Sequence, residues 1–203
     1  MRILAVLVLM LSTGPAVPFT GETVSNASGK EAAALVEWAR SRYQLIDLDL
    51  PDVKVLFHDV TAPCNGANGI YRSGHGHPRI HICVRDRGTF ASDLWRRRTL
   101  LHELAHAWEQ ANLDDADRAR LLIVIDAADW YAPDAPWEER GAERFAETLV
   151  WGLYDQLRRP TLIDVACREL HADFLAITGF TAPGPVERIC ELDGGRSEAV
   201  GRR

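Results

Sequence analysis

The sequence predicts an α+β fold, a small β-sheet or ribbon followed by a helical body, and three observations predict it. Two short segments, 53–57 and 79–84, alternate apolar and polar residues with the period of two that a half-buried strand requires. From Gly88 onward, apolar residues instead recur at helical spacing between capping and helix-breaking residues. Four cysteines, Cys64, Cys83, Cys167 and Cys190, follow the leading apolar run, an even number suited to two disulfides.

The elements follow in chain order. Met1-Arg2 precedes an unbroken apolar run from Ile3 to Leu11, and small and turn residues follow from Ser12 to Ala16. This is the layout of a secretory signal over residues 1–20, with cleavage between Ala16 and Gly21, and its apolar core falls short of the about 20 residues that cross a bilayer. Residues 21–203 then form one expected domain, exported and free of the membrane. Gly21 to Lys30 is polar, and Asn26-Ala27-Ser28 fits a glycan acceptor.

Leu35, Trp38, Ala39 and Tyr43 mark a helix from Ala32 to Ile46. Val53 to Phe57 and Arg79 to Val84 are the two strands, and the second is the expected edge for an extended substrate. Between them Asn65 to His77, rich in Gly, Asn and His, reads as a flexible loop. Ser92-Asp93 is placed to cap a helix from Leu94 to Gln110, and Asp114-Asp115 one that reaches Ala128. Pro136 and Glu138-Glu139 open a third helix running to Leu157, with Pro160 beyond it. The last helix runs from Leu162 to Ile177 and stops at Gly179. Each of the pairs Cys64–Cys83 and Cys167–Cys190 brackets a compact segment, which favours them over the other two pairings.

Charge limits the partners. With 23 Lys and Arg against 29 Asp and Glu, the net charge of −6 argues against a nucleic-acid backbone or an anionic membrane. The run Arg96-Arg97-Arg98 reads as one solvated basic turn.

The chemistry gathers at "TLLHELAHAWEQ", Thr99 to Gln110. Residues four apart on a helix point about 40° apart around its axis, one turn up, so His102 and His106 can aim both imidazoles at one ion. Glu103, about 100° from His102, falls beside that ion and can take a proton from a water on it. The competing reading is a half-buried helix with two hydrogen-bonded histidines. A catalytic zinc needs a third protein ligand. Glu109 and Asn112 stand where the metzincin extension requires Gly and His, which excludes that class. The candidates are Glu139, Glu143 and Glu147, recurring every four residues as an acidic stripe that is costly to bury without a cation. His171 is a candidate for stabilising an oxyanion, with Tyr131 and Tyr154 behind it. His75, His77 and His81 cluster before the helix.

His102-Glu103-Leu104-Ala105-His106 followed by Glu143-x-x-x-Glu147 resembles the gluzincin zinc metallopeptidases, the thermolysin-like class, in a compact secreted bacterial form. In that class H-E-x-x-H is followed by a second helix bearing E-x-x-x-D, and here Glu147 stands in place of the Asp. The resemblance implies a zincin-like fold with Zn2+ bound by His102, His106 and Glu143, Glu103 as general base, and Glu147 orienting His102. It implies hydrolysis of a peptide or protein substrate. In the compact regulator-cleaving metallopeptidases, E-x-x-A-x-x-F-A would instead select Glu139. The other functional class compatible with the residues is an exported binding protein on the same scaffold, with a structural or masked metal.

Overall fold

The structure is a computed structural model that describes residues 24–25, 29–74, 77–157 and 159–191. The signal-like segment, the Asn26 triplet and His75 lie outside the described residues. The fold is α+β, as expected: a small mixed sheet packed against a helical body.

Helix α1 (Gly29–Gln44) buries Ala32, Leu35, Val36, Ala39 and Tyr43 along one face. The Tyr43 hydroxyl donates to the Leu101 carbonyl at 2.7 Å, which satisfies a fully buried polar group and ties α1 to the central helix. Four strands follow the order β1-β2-β4-β3: β1 (Val24–Ser25), β2 (Lys54–Phe57), β3 (Gly69–Arg72) and β4 (Arg79–Ile82). The first three in that order run parallel, and β3 pairs antiparallel with β4 on the outside, Ile70 opposite His81 and Tyr71 opposite Ile80. Val55, Phe57, Ile80 and Ile82 face the core, matching the period-two reading of their strands.

Two expectations fail here. The strand Arg79 to Val84 is no edge, because β2 and β3 occupy both of its flanks. The outer strands of the described sheet are β1 and β3, and β3 lies inside the stretch read as a flexible loop. That strand carries only Ile70 and Tyr71 as strand-forming residues among glycine and asparagine, too little for a local signal, and its pairing with β4 supplies what propensity does not. The disulfide Cys64–Cys83 closes this region onto the end of β4, and the second bridge is Cys167–Cys190. Both are the favoured pairs, and such bonds persist in oxidising compartments. No helix of the described residues is long and apolar enough to cross a membrane.

Helix α2 (Phe90–Asn112) starts four residues before the expected Leu94. Thr89 is its N-cap: the Thr89 hydroxyl accepts from the Ser92 amide while the Ser92 hydroxyl accepts from the Thr89 amide. Ser92 therefore serves as the third helical residue of a capping box. Helix α3 (Asp115–Val124) has Asp114 as its N-cap, and it ends short of Ala128.

The third expected helix divides. Trp137–Glu139 form one 3-10 turn, Arg140 is extended, and α4 runs only over Gly141–Leu153. The reason is tertiary: the Gly141 and Ala142 amides donate at 2.9 Å to the carbonyls of Asp129 and Trp130, which fixes the helix start after Arg140. Its far end stops at Tyr154, in extended conformation, and the Arg159 guanidinium covers the carbonyls of Trp151 and Gly152. Helix α5 (Cys167–Thr178) begins five residues after the expected Leu162 and ends, as expected, at Gly179 with φ of 76°. Leu100, Leu101 and Leu104 of α2 and Phe145, Leu149 and Val150 of α4 share the buried core between these two helices.

Candidate metal centre

Helix α2 presents His102 and His106 on one side, their rings edge-on at 4.7 Å. Their Nε2 atoms stand 3.1 Å apart. Glu143, in the first turn of α4, brings Oε2 to 3.0 Å from His102 Nε2 and 3.3 Å from His106 Nε2. Ligands on a tetrahedral zinc with arms of about 2.0–2.1 Å lie about 3.3–3.4 Å from one another. The three donor atoms are therefore spaced as that geometry requires, and two imidazoles with one carboxylate make a donor set suited to a divalent metal. Among the described residues this is the group of three such side chains able to hold an ion.

Around this trio each ring has a partner on its other nitrogen. Glu147, one turn beyond Glu143 and fully buried, places Oε1 at 2.9 Å from His102 Nδ1. With Nδ1–H donating there, Nε2 of the neutral ring keeps its lone pair toward the metal position. The same oxygen pairs with the Arg98 guanidinium, and Oε2 accepts the Leu162 amide at 2.9 Å and the Thr161 hydroxyl at 3.4 Å. Burial alone would raise the Glu147 pKa; the His102 bond, the His102 and Arg98 charges and the Leu162 amide overcome it and hold the carboxyl at about 2. His106 Nδ1 lies 3.6 Å from Glu109 Oε1. The Trp137 ring stacks on His102 with centroids 5.7 Å apart.

Glu103 is buried, and its carboxylate lies against Gly69 of β3, whose missing Cβ leaves room for it. Burial raises its pKa, the neighbouring histidines pull it down, and Glu143 pushes it up; the sum stays above the ordinary carboxylate value. Glu143 moves the other way: burial would raise it, but its bonds to both histidines hold it well below the usual range. Burial lowers and carboxylates raise the basicity of His106, and Glu109 and Glu143 win, taking it up to about 10. Glu103, Glu109, Glu143 and Glu147 thus surround the imidazoles with Arg98 as the one paired cation. Such an electrostatic field favours a positive charge at the point where the two Nε2 atoms meet.

His102, Glu103, His106, Glu109 and Glu143 form one wall of a cleft of about 350 Å³. The opposite wall is the β3 edge, Gly69 to Tyr71, and Trp137, Tyr131 and Gln110 complete the rim. Gly69 is required there: a Cβ on it would meet Thr99 Cγ2 at 2.4 Å and Glu103 Oε1 at 2.7 Å.

The structure brings together His102, Glu103, His106, Glu143 and Glu147. It does not bring in His171, whose ring lies 6.0 Å from Trp151 and which is not among the residues lining the cleft. Helix α5 packs Phe174 against Gly152, near the end of α4, and eight residues of helix, about 12 Å, separate Trp151 from Glu143. Tyr154 is buried against Trp38, while Tyr131 does line the cleft. Glu139, in the 3-10 turn, is off the α4 stripe. His81 stacks on His58, centroids 5.1 Å apart, so the loop histidines show no metal group among the described residues.

Sequence reasoning missed Arg98, Tyr71 and Glu109. The basic run is not a solvated turn, since Arg96 and Arg98 are buried on Asp86 and Glu147 respectively. A signal was present: Arg98 precedes His102 by four residues, on the same helix face.

Compared with known proteins, the chain finds no counterpart: no family model, curated protein or solved structure matches it.

Proposed function

We propose that this chain is an exported zinc-dependent hydrolase, a peptidase of the gluzincin type, with His102, His106 and Glu143 as the ligands. The observation that carries the reading is the convergence of these three donor atoms at 3.0–3.3 Å beside a buried carboxylate, Glu103, on the wall of an open cleft. A zinc ion held by His102, His106 and Glu143 would supply Lewis acidity, acidifying water and polarising a carbonyl.

The protein's own groups do the rest. Glu103 accepts the proton of the attacking water and returns it to the leaving amine. Its burial makes it a stronger base than an ordinary carboxylate. The hydroxyl-bearing residues on the cleft that could serve an oxyanion are Tyr71, Ser73 and Tyr131, in place of His171. The outer edge of β3, which pairs with no further strand among the described residues, offers backbone groups along which an extended peptide can align. Trp137 and Gln110 bound the space for its side chains. Export is supported by the signal-like residues 1–20 and the two disulfides. The acidic balance supports a peptide over a polyanion as substrate.

The test combines metal analysis with one substitution. The purified protein should hold about one zinc per chain, and Glu103→Gln should keep it while lowering turnover of a peptide library by about 10²–10⁴-fold. Unchanged turnover in Glu103→Gln would remove Glu103 from the chemistry. Stoichiometric zinc without any peptide cleavage would instead favour a binding protein.

A further inference from the structure

We infer that Glu109 is a positioning residue for the second metal histidine, holding His106 in the tautomer and orientation that direct Nε2 at the ion. The inference rests on the metal reading of the site and adds a residue that the motif does not contain. Glu109 follows His106 by three residues on α2, so the helix itself brings its carboxylate under the ring: Oε1 stands 3.6 Å from Nδ1. His102 has its partner from another helix, Glu147 of α4. His106 has its own from the same helix. The two imidazoles are thereby set by independent means.

Burial makes the assignment specific. Glu109 is 2% exposed, although it is ionisable and lies near the end of a long helix where a solvated position is close at hand. Among the described residues no arginine or lysine pairs with its carboxylate; its partners are the Trp130 indole N–H, which donates to Oε2, and His106. A carboxylate kept out of water with only a neutral indole is costly, and an imidazole polarised by a cation on its other nitrogen is the group that offsets it. The surroundings keep the carboxylate in place. The Glu109 carbonyl accepts the Leu113 amide at 2.9 Å and the Arg118 guanidinium at 3.4 Å, and Trp130 packs on Phe145 in the core. The segment Asp129-Trp130 that supplies the indole also supplies the carbonyls that start α4, the helix of Glu143. One segment thus sets both the third ligand and the partner of the second.

The experiment measures zinc affinity of the full chain by competition with a chromophoric chelator, and the His106 ring nitrogens by NMR, in Glu109→Gln and Trp130→Phe. Glu109→Gln should weaken zinc by about 10–100-fold, the usual effect of losing such a partner. The Nδ1–H resonance of His106 should also move away from the position that the neighbouring carboxylate gives it. Trp130→Phe keeps the ring packing and frees the carboxylate; it should shift the same resonance and weaken zinc by a smaller factor. A folded Glu109→Gln with zinc affinity within twofold of the unaltered protein overturns the assignment. Should Glu109→Gln fail to fold, Trp130→Phe decides, and an unmoved resonance with unchanged affinity overturns it equally. If the unaltered protein binds no zinc, the metal centre itself fails and this assignment falls with it.

Discussion

Gly69→Ala is the most informative single change, because the missing Cβ is what lets the substrate-side strand lie against the motif helix. A Cβ at this position would sit 2.4 Å from Thr99 Cγ2, 2.7 Å from Glu103 Oε1 and 2.9 Å from Glu103 Cγ. Carbon atoms in contact rest about 3.5–4.0 Å apart, so β3 must retreat from α2 by about 1 Å or Glu103 must swing aside. Either response displaces the Glu103 carboxylate from its seat against β3. Overpacking of this kind costs about 1–3 kcal/mol, which for a domain of this size lowers Tm by about 3–10 °C. A displacement of about 1 Å at a proton-transferring group is worth about 100-fold in rate. The proposed metal ligands stand on α2 and α4 and not on β3, so zinc affinity should stay within about threefold. Adding Thr99→Ser removes Cγ2 and should restore part of the Tm, yet not the turnover, since the Glu103 contact remains. Calorimetry, chelator competition and peptide turnover on the unaltered protein and these two variants separate these effects. A Gly69→Ala protein with native Tm and native turnover would show that β3 does not press on Glu103, and the reasoning about the cleft would be wrong.

Glu143→Gln should weaken zinc by more than about 100-fold while Glu139→Gln leaves it unchanged, because only Glu143 is aimed at the two Nε2 atoms; chelator competition distinguishes them. Arg98→Met leaves the fully buried Glu147 without its cation and should cost about 3–5 kcal/mol in urea unfolding, whereas a cost under about 1 kcal/mol would mean the pair is not buried in solution. Asp173 should oppose stability at neutral pH. Its carboxyl is raised to about 6 by burial and by Glu169 and Asp126, against the pull of Arg144. The folded state therefore holds that proton longer than the unfolded chain, so the penalty is absent below pH about 3.8 and grows until pH passes about 6. Asp173→Asn should raise Tm at pH 7.5 by an amount equivalent to about 1–3 kcal/mol and leave it unchanged at pH 3.5; equal shifts at both pH values would exclude the titration.

Which parts of this site could be read from the residues follows from how local each signal is. His102, Glu103 and His106 lie within five residues of one helix, and a helix turns spacing into direction by itself. Glu109 and Arg98 lie on that same helix at i+3 from His106 and i−4 from His102, and were equally within reach of the argument. They were passed over because charge on a helix is ordinarily solvated, and only burial reveals otherwise. The start of α4 is different in kind. Pro136 and the acidic residues after it satisfy every local rule for a first turn, yet the amides of Gly141 and Ala142 find the carbonyls of Asp129 and Trp130, and no spacing rule contains that contact. The β3 edge was hidden for the same reason: its pairing with β4, and the closeness to α2 that Gly69 permits, are both tertiary. His171 shows the converse error, a correctly assigned helix whose packing partner is the wrong end of α4.

The apolar residues between the charged ones carry the geometry. Leu100, Leu101, Leu104 and Ala105 on α2 and Ala146, Leu149 and Val150 on α4 are all buried, and they alternate with His102, His106, Glu143 and Glu147 along the same two helices. Burying several such side chains contributes about 1.5–3 kcal/mol each, enough in sum to hold the helices together against the cost of confining four carboxylates with one guanidinium. The donor atoms are therefore brought within about 3 Å of one another by packing, and the electrostatic strain is concentrated where a divalent cation relieves it. On the proposed reading, a centre assembled this way would meet an ion with its ligands already placed, and its affinity would then depend on side chains such as Arg98 and Glu109 that stand off the three donor atoms.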